Sequence, residues 1–199
     1  MKTSGEPDGA IVLGFDARHA LDDRTFVAWD QDRRSQYLIR PEVPWPLSVD
    51  PMVWPAPTSE TTNDNFLNLW PSAAAVFAAF PGETPVVIEI AVVPDPQSAG
   101  YWTRQMGGVV VQESAPSQYQ TESLGYDVAD RFLFSALSNG GFSEEKMAVI
   151  RSRCATRINS FGLFGDPAEA ADLKIICDHS LEELAPFCVY RIRKITPLR

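Results

Sequence analysis

Three carboxylates stand where acid and base catalysis could be carried out. Asp16 follows a candidate strand, Glu89 lies within one, and Glu113 ends another. Paired carboxylates divide the roles of proton donor and proton acceptor when their surroundings separate their pKa values. The sequence therefore admits a hydrolase-like enzyme, provided that folding brings two of these side chains into one pocket. The alternative interpretation is that all three are solvated strand ends.

The histidines and cysteines do not extend this chemistry. Neither His19 nor His179 has a partner at a metal-ligand spacing, and His179 suits a contact with the negative end of a helix. The three cysteines, Cys154, Cys177 and Cys188, are typical of small core residues in a reducing compartment. The chain carries no phosphate-binding glycine loop, nucleophile elbow or dinucleotide fingerprint. We therefore expect no metal and no cofactor, and we assign no catalytic residue.

A group of basic residues is the candidate for binding phosphate or nucleic acid. Arg151, Arg153 and Arg157 follow Lys146 on one predicted helix. The net charge of the chain is −9, and long-range repulsion from phosphates opposes such binding. We expect these side chains to be solvated or paired with acids of the same protein, and we expect no nucleic acid partner.

The charge is distributed unevenly along the 199 residues. Residues 1–60 carry a net charge of −4, residues 61–130 carry 8 acids against one base for a net −7, and residues 131–199 carry a net +2. An acidic central segment repels nucleic acid and anionic membranes, and it attracts basic proteins. The simpler interpretation of the acidity is solubility.

A small acidic protein with tryptophan-bearing loops and no catalytic signature is of the type found among inhibitors and toxin-immunity proteins. Nuclease toxins are commonly basic, and an acidic inhibitor gains association rate and specificity from complementary charge. We therefore predict a non-enzymatic protein that binds a basic protein partner, with an enzyme or a structural scaffold subunit as alternatives. The predicted contact surface consists of Asp95, Trp102, Glu113, Glu122 and Asp127.

The predicted fold is α+β, with a mainly antiparallel sheet, a C-terminal antiparallel helix pair and a third helix. We predict a single domain over residues 1–199, β-rich at 10–120, helix-rich at 124–186 and ending in a strand at 187–195. Residues 86–93 are a β-branched run bounded by prolines, which predicts a central strand. Further strands are predicted at 11–15, 25–29, 36–40 and 109–111, with an extended proline-rich loop at 41–57 and a loop at 115–125. The sequence shows no internal repeat.

Helix boundaries are predicted from caps and apolar spacing. Residues 63–80 are predicted to be helical, with an interruption at Pro71. Asp127 is a candidate cap for a helix that reaches residue 138 and buries Phe132. Ser143 is expected to begin the next helix, which runs to about residue 161.

The C-terminal elements have the clearest signals. Asp166 followed by Pro167 predicts the start of a third helix that ends near residue 177. The charged residues Arg191, Arg193 and Lys194 of the last strand favour a position at the edge of the sheet.

Two further features suggest the compartment. No apolar run approaches the roughly 20 residues that span a bilayer, and the first ten residues lack the apolar core of a signal peptide. Together with the cysteines, this predicts a cytoplasmic protein without a membrane partner.

Overall fold

The structure, a computed structural model, describes residues 9–18, 69–81, 85–96, 118–131, 133–138, 143–154, 156–180 and 186–198. They form four strands, β1 (Ile11–Arg18), β2 (Val86–Val93), β3 (Tyr119–Ala129) and β4 (Cys188–Pro197). The helices are α1 (Ala73–Ala79), α2 (Glu144–Cys154) and α3 (Pro167–Ser180), with a 3-10 turn at Ala136–Ser138. The strands pair in the order β1-β2-β4-β3, every pair antiparallel, so the α+β fold is confirmed.

Several predicted elements lie outside the described residues. They are the strands at 25–29, 36–40 and 109–111, the loop at 41–57, the first part of the helix at 63–80, and the side chain of Phe132.

The strand predicted at 86–93 is confirmed and central. β2 pairs with β1 on one side and with β4 on the other. Its six inner residues are all buried, because both faces of a central strand are covered. One face packs the side chains of Ile88, Ile90 and Val92, and the other packs Val87 and Ala91.

The sheet has an internal twofold relationship, which was not apparent from the sequence. Ile90 of β2 pairs with Ile192 of β4 at the centre of the sheet. Gly14 of β1 pairs with Ile90, and Gly125 of β3 pairs with Ile192. Both edge strands are irregular at this point, one residue before the glycine. The units β1-α1-β2 and β3-α3-β4 therefore have the same register, and β2 and β4 join them.

The two glycines solve the same steric problem in both units. Gly14 has φ +157°, and a Cβ there would lie 2.7 Å from Leu69 Cβ and 2.9 Å from the Trp70 carbonyl oxygen. Gly125 has φ +138°, and a Cβ there would lie 2.5 Å from the Phe164 carbonyl oxygen and 2.9 Å from the Cβ of Leu163. In each unit a Leu-aromatic pair crosses over the bulge, so only glycine fits.

The residue after each glycine is held by a reciprocal pair of backbone bonds. The N–H of Phe15 donates to the Trp70 carbonyl at 2.9 Å, and the N–H of Trp70 donates back at 2.8 Å. Tyr126 and Phe164 exchange the equivalent bonds, both at 2.9 Å. A capped helix begins in both units after this aromatic residue. The cap lies two residues beyond Trp70 in one unit, where Ser72 caps α1, and two residues beyond Phe164 in the other, where Asp166 caps α3.

The predicted helix that starts at Asp127 is wrong, and so is the predicted loop at 115–125. Residues 119–125 of the predicted loop and residues 127–129 of the predicted helix belong to β3, and in the described residues the 3-10 turn at 136–138 is the helical element that follows before α2. The Asp127 carboxylate does bind a backbone N–H, but the donor is Val128 within the strand, at 2.7 Å. The Asp127 carboxylate thus accepts a local backbone N–H within a strand, and the same kind of bond does not here mark the start of a helix.

The other helices follow the predicted signals more closely. α2 begins after Ser143, whose hydroxyl accepts from the Lys146 N–H at 3.4 Å, but α2 ends at Cys154 instead of near residue 161. α3 begins at Pro167 as predicted, and the Asp166 carboxylate accepts from the Ala168 N–H at 2.8 Å.

The final strand is confirmed, but its predicted edge position is wrong. β4 lies between β2 and β3, so its arginines are inside the sheet. Their charge is accommodated by a carboxylate on the neighbouring strand, which the next subsection describes.

Candidate functional site

The carboxylates proposed for acid and base catalysis do not form a pair at Asp16 and Glu89. Phe15 is the cross-strand partner of Glu89, and Asp16 is the partner of Ile88. Because neighbouring residues of a strand point to opposite faces, the two carboxylates lie on opposite sides of the sheet. Glu113 lies outside the described residues.

Glu89 instead belongs to a buried ionic cluster at the centre of the sheet. Its Oε1 lies 3.2 Å from Arg191 Nη2 and 3.7 Å from Arg193 Nη1. The Glu89 side chain is fully buried, while those of the two arginines are 8% and 11% exposed. An isolated carboxylate would be costly to bury, and the two guanidinium groups offset that cost. The cluster joins β2 to β4 and so connects the two units of the sheet.

The predicted surface residue Asp127 is buried and serves the turn after β3. Its Oδ1 accepts from the hydroxyl of Ser135 at 2.8 Å, and the Ser135 oxygen accepts from the Leu137 N–H at 3.0 Å. The neighbouring Asp130 accepts from the Phe134 N–H at 2.9 Å. These bonds stabilise a tight reversal in which Leu133 has a left-handed φ of 64°. Asp127 is therefore not part of an exposed contact surface.

Of the remaining predicted contact residues, Glu122 and Asp95 lie in the described part of the chain. Glu122 is exposed on β3, in the row that crosses Lys194 of β4 and Ile88 of β2. Asp95 is half-buried beyond the other end of β2. Residues 88–93 of β2 lie between the rows of these two residues, and this stretch spans about 17 Å. Trp102 and Glu113 lie outside the described residues.

Sequence reasoning missed the most exposed part of the sheet. Residues 120–123 of β3 are all exposed, while residues 124–129 of the same strand are buried. We call residues 120–123 the open edge, because β3 is the outermost strand and only β4 pairs with it along this stretch of the described structure. The residues around Thr121 are polar throughout, which is only a weak strand signal. For this reason a loop is predicted from the sequence at 115–125.

Two arginines of the basic group have described side chains, and both are exposed. Arg153 is exposed on α2, and Arg157 Nη1 lies 3.2 Å from Asp172 Oδ2 in a pair whose side chains are 42% and 67% exposed. Lys146 Nζ donates to the Ser180 carbonyl at the end of α3. The basic residues of this region are therefore used, at least at these two positions, in contacts within the protein.

Cys154, Cys177 and Cys188 are buried free thiols. Burial raises the pKa of the Cys177 thiol above its usual range, and the nearby carboxylates of Asp178 and Asp127 add to this effect. Burial also raises the pKa of the Cys154 thiol, although Arg157 and Arg153 oppose it. Both thiols are thus protonated and unreactive at neutral pH.

Other kinds of site were sought in the described residues. They contain no group of three or more histidine, cysteine, aspartate or glutamate side chains arranged to hold a metal ion. Their helices are all too short or too polar to cross a membrane. The chain matches no protein-family model, no curated protein and no solved structure.

Proposed function

We propose that this chain is a non-enzymatic acidic protein that binds and neutralises a basic protein partner, as a toxin-immunity protein does. The observation that carries the proposal is the net charge of −9, of which residues 61–130 contribute −7. A field of this sign accelerates encounters with basic proteins and opposes encounters with phosphate-rich ones.

The described residues bury charges of both signs. Arg191 and Arg193, which contribute to the +2 of the C-terminal segment, are directed at Glu89 in the interior. Of the acids of residues 61–130, Glu89, Asp127 and Asp130 are buried, whereas Glu122 is exposed on the outermost strand. The support for a basic partner is therefore the net charge of the whole chain rather than that of one described surface.

The enzymatic alternative has lost its best-defined pair. It needs two converging carboxylates, and Asp16 and Glu89 face opposite sides of the sheet. Asp16 is also buried, and so is Glu89 within its ionic cluster. Neither is placed as a solvent-accessible acid or base beside the other.

Affinity capture from the native cell tests the proposal. The full chain, tagged at one terminus, is used as bait at roughly 0.05 M and 0.5 M salt, since charges are screened strongly at the higher ionic strength. We expect a basic protein to be retained at low salt and released at high salt, and the gene next to this one to encode a basic toxin. Failure to recover any protein partner at low salt would contradict the proposal.

A further inference from the structure

The open edge differs from the rest of β3 in that no described residue covers its outer side. In the buried half of the strand, Tyr126 exchanges backbone bonds with Phe164, and Ala129 bridges to Ser135. Within the described structure, no residue does the same for residues 120–123. This half of the strand therefore presents peptide groups to solvent along its outer side.

The register identifies which peptide groups these are. The N–H and C=O of Tyr126 point outward, because they bond to Phe164. Outward groups alternate along an antiparallel strand, and the bulge between residues 123 and 125 shifts the alternation by one residue. The outward groups of the open edge therefore belong to Thr121 and Ser123, whereas those of Glu122 bond to β4. Two donors and two acceptors are thus available at alternate positions.

The internal twofold relationship provides a comparison within the same molecule. Ser123 opposes Arg193 just before the bulge of β3, and Val12 opposes Ala91 just before the bulge of β1. Ser123 is exposed, but Val12 is only 5% exposed. The residue at this position is therefore exposed in one unit and buried in the other.

The open edge is also held in place at its start. The Leu198 N–H donates to the Gln118 carbonyl at 2.9 Å, and the Tyr119 ring stacks on Phe77 with ring centroids 5.7 Å apart. The sequence of residues 120–123, Gln-Thr-Glu-Ser, contains no proline, so every residue of the open edge keeps its backbone N–H.

We propose that residues 120–123 of β3 are the docking edge for an extended basic segment of the partner, which adds to the sheet as a fifth strand. This inference rests on the proposed function and specifies where and how the partner binds. The bonds to Thr121 and Ser123 supply affinity. The net charge of −9 favours a basic segment, and Glu122, which faces Lys194 of β4 on its other side, is the acid nearest to the added strand. A second copy of the chain is a poorer occupant, because it would bring another net charge of −9 against the first.

Amide hydrogen exchange on the full chain tests the docking edge directly. The probe is a short capped peptide that alternates lysine with valine, and the controls are its glutamate counterpart and a copy with N-methyl groups on alternate peptide nitrogens. We expect the amides of Thr121 and Ser123 to exchange rapidly in the free protein and to become protected by the lysine peptide. The amide of Glu122 should be protected in both states, since it bonds to β4.

Substitutions then separate docking from folding. Thr121→Pro removes one outward donor, and proline is tolerated at an edge position whose N–H faces solvent. We expect the variant to remain folded by circular dichroism and to bind the lysine peptide about tenfold more weakly. The matched control, Thr121→Ser, keeps the N–H and should bind like the original. Glu122→Lys should reverse the preference between the lysine and glutamate peptides.

The outcomes distinguish this inference from the proposed function. Amides of Thr121 and Ser123 that are protected without peptide, equal binding by Thr121→Pro, or protection that depends on self-association would each overturn the docking edge. If a captured basic partner binds Thr121→Pro as tightly as the original chain, the docking edge is wrong and the proposed function stands. If the peptide protects the two amides in the alternating pattern while cells yield no partner, the docking edge stands and the proposed function falls.

Discussion

Glu89 and Arg191 occupy equivalent positions in the two units of the sheet, and their side chains meet 3.2 Å apart. Each directly precedes one of the paired isoleucines, Ile90 and Ile192, at the centre of the twofold relationship. If the two central strands were identical, this position would bring like charges together inside the sheet. Opposite charges make the pairing of β2 with β4 within one chain more favourable than β2 with β2 or β4 with β4 between chains.

A double-mutant cycle measures this contribution. Glu89→Gln should lower the free energy of unfolding by about 3–5 kcal/mol, because two largely buried guanidinium groups lose their carboxylate. Combined with Arg191→Met, the two changes should be non-additive by about 1–3 kcal/mol. Urea unfolding of the four proteins gives the coupling energy.

The exposed pair of Arg157 and Asp172 is the matched control for that cycle. Its atoms are also 3.2 Å apart, but both side chains are substantially exposed. The same cycle there should yield a coupling of about 0–1 kcal/mol. Equal couplings for the two pairs would show that burial of the Glu89 cluster does not strengthen it.

The bulge glycines supply a second prediction. Gly125→Ala should destabilise the protein by about 2–4 kcal/mol, since its φ of +138° is unfavourable for alanine and the Cβ would overlap the Phe164 carbonyl. Gly165→Ala is the control, because a Cβ there meets nothing within 4 Å. It should change stability by about 0.5 kcal/mol or less. Thermal unfolding monitored by circular dichroism compares them, and equal effects would contradict the close approach of residue 164.

The sequence predicted the elements whose signals are local. β2 was predicted because a β-branched run lies between prolines, and α3 because Asp166 and Pro167 form a helix start. The helix at 127–138 was wrong because apolar residues at Val128, Leu133 and Leu137 match a helical spacing that tertiary pairing overrode. Local propensity contains no information on whether β4 lies close enough to pair with β3.

The twofold relationship and the ionic cluster depend on long-range register. The sequence traces of the repeat are Leu-Gly-Phe-Asp at residues 13–16 with Leu-Gly-Tyr-Asp at residues 124–127, and the Leu-aromatic pairs at 69–70 and 163–164. Segments this short are not enough to define a repeat without the pairing that aligns them. For the same reason, Arg191 and Arg193 favoured an edge position, because nothing in the sequence shows that Glu89 neutralises them.

Helix α2 supplies a third prediction. Ile150→Ala should cost about 2–5 kcal/mol, because Ile150 is only 2% exposed and packs in the core with Leu173 and Phe164. Arg153→Ala should change stability by about 0.5 kcal/mol or less, because Arg153 is exposed. Urea titration of the two variants decides the matter. A neutral Ile150→Ala with a severe Arg153→Ala would mean that α2 presents the opposite face to the core.

The last prediction concerns pH and the buried thiols. Burial raises the pKa of Cys177, and of Cys154, above the ordinary thiol value of 9.0. The folded state therefore keeps these protons at a pH where the unfolded chain loses them. Their contribution to stability is complete below about pH 9 and is lost as the pH rises through the folded-state values.

We accordingly expect the urea midpoint to fall as the pH increases above about 9, and Cys177→Ala to reduce that fall once its own cavity cost is subtracted at pH 7. In the native protein at neutral pH, thiol reagents should modify Cys177 only at the rate of unfolding, since a buried, protonated thiol is a poor nucleophile. Adding urea should make the reaction fast. Rapid modification of Cys177 without urea would show that the space between α2 and α3 is open to solvent, contrary to the packing described.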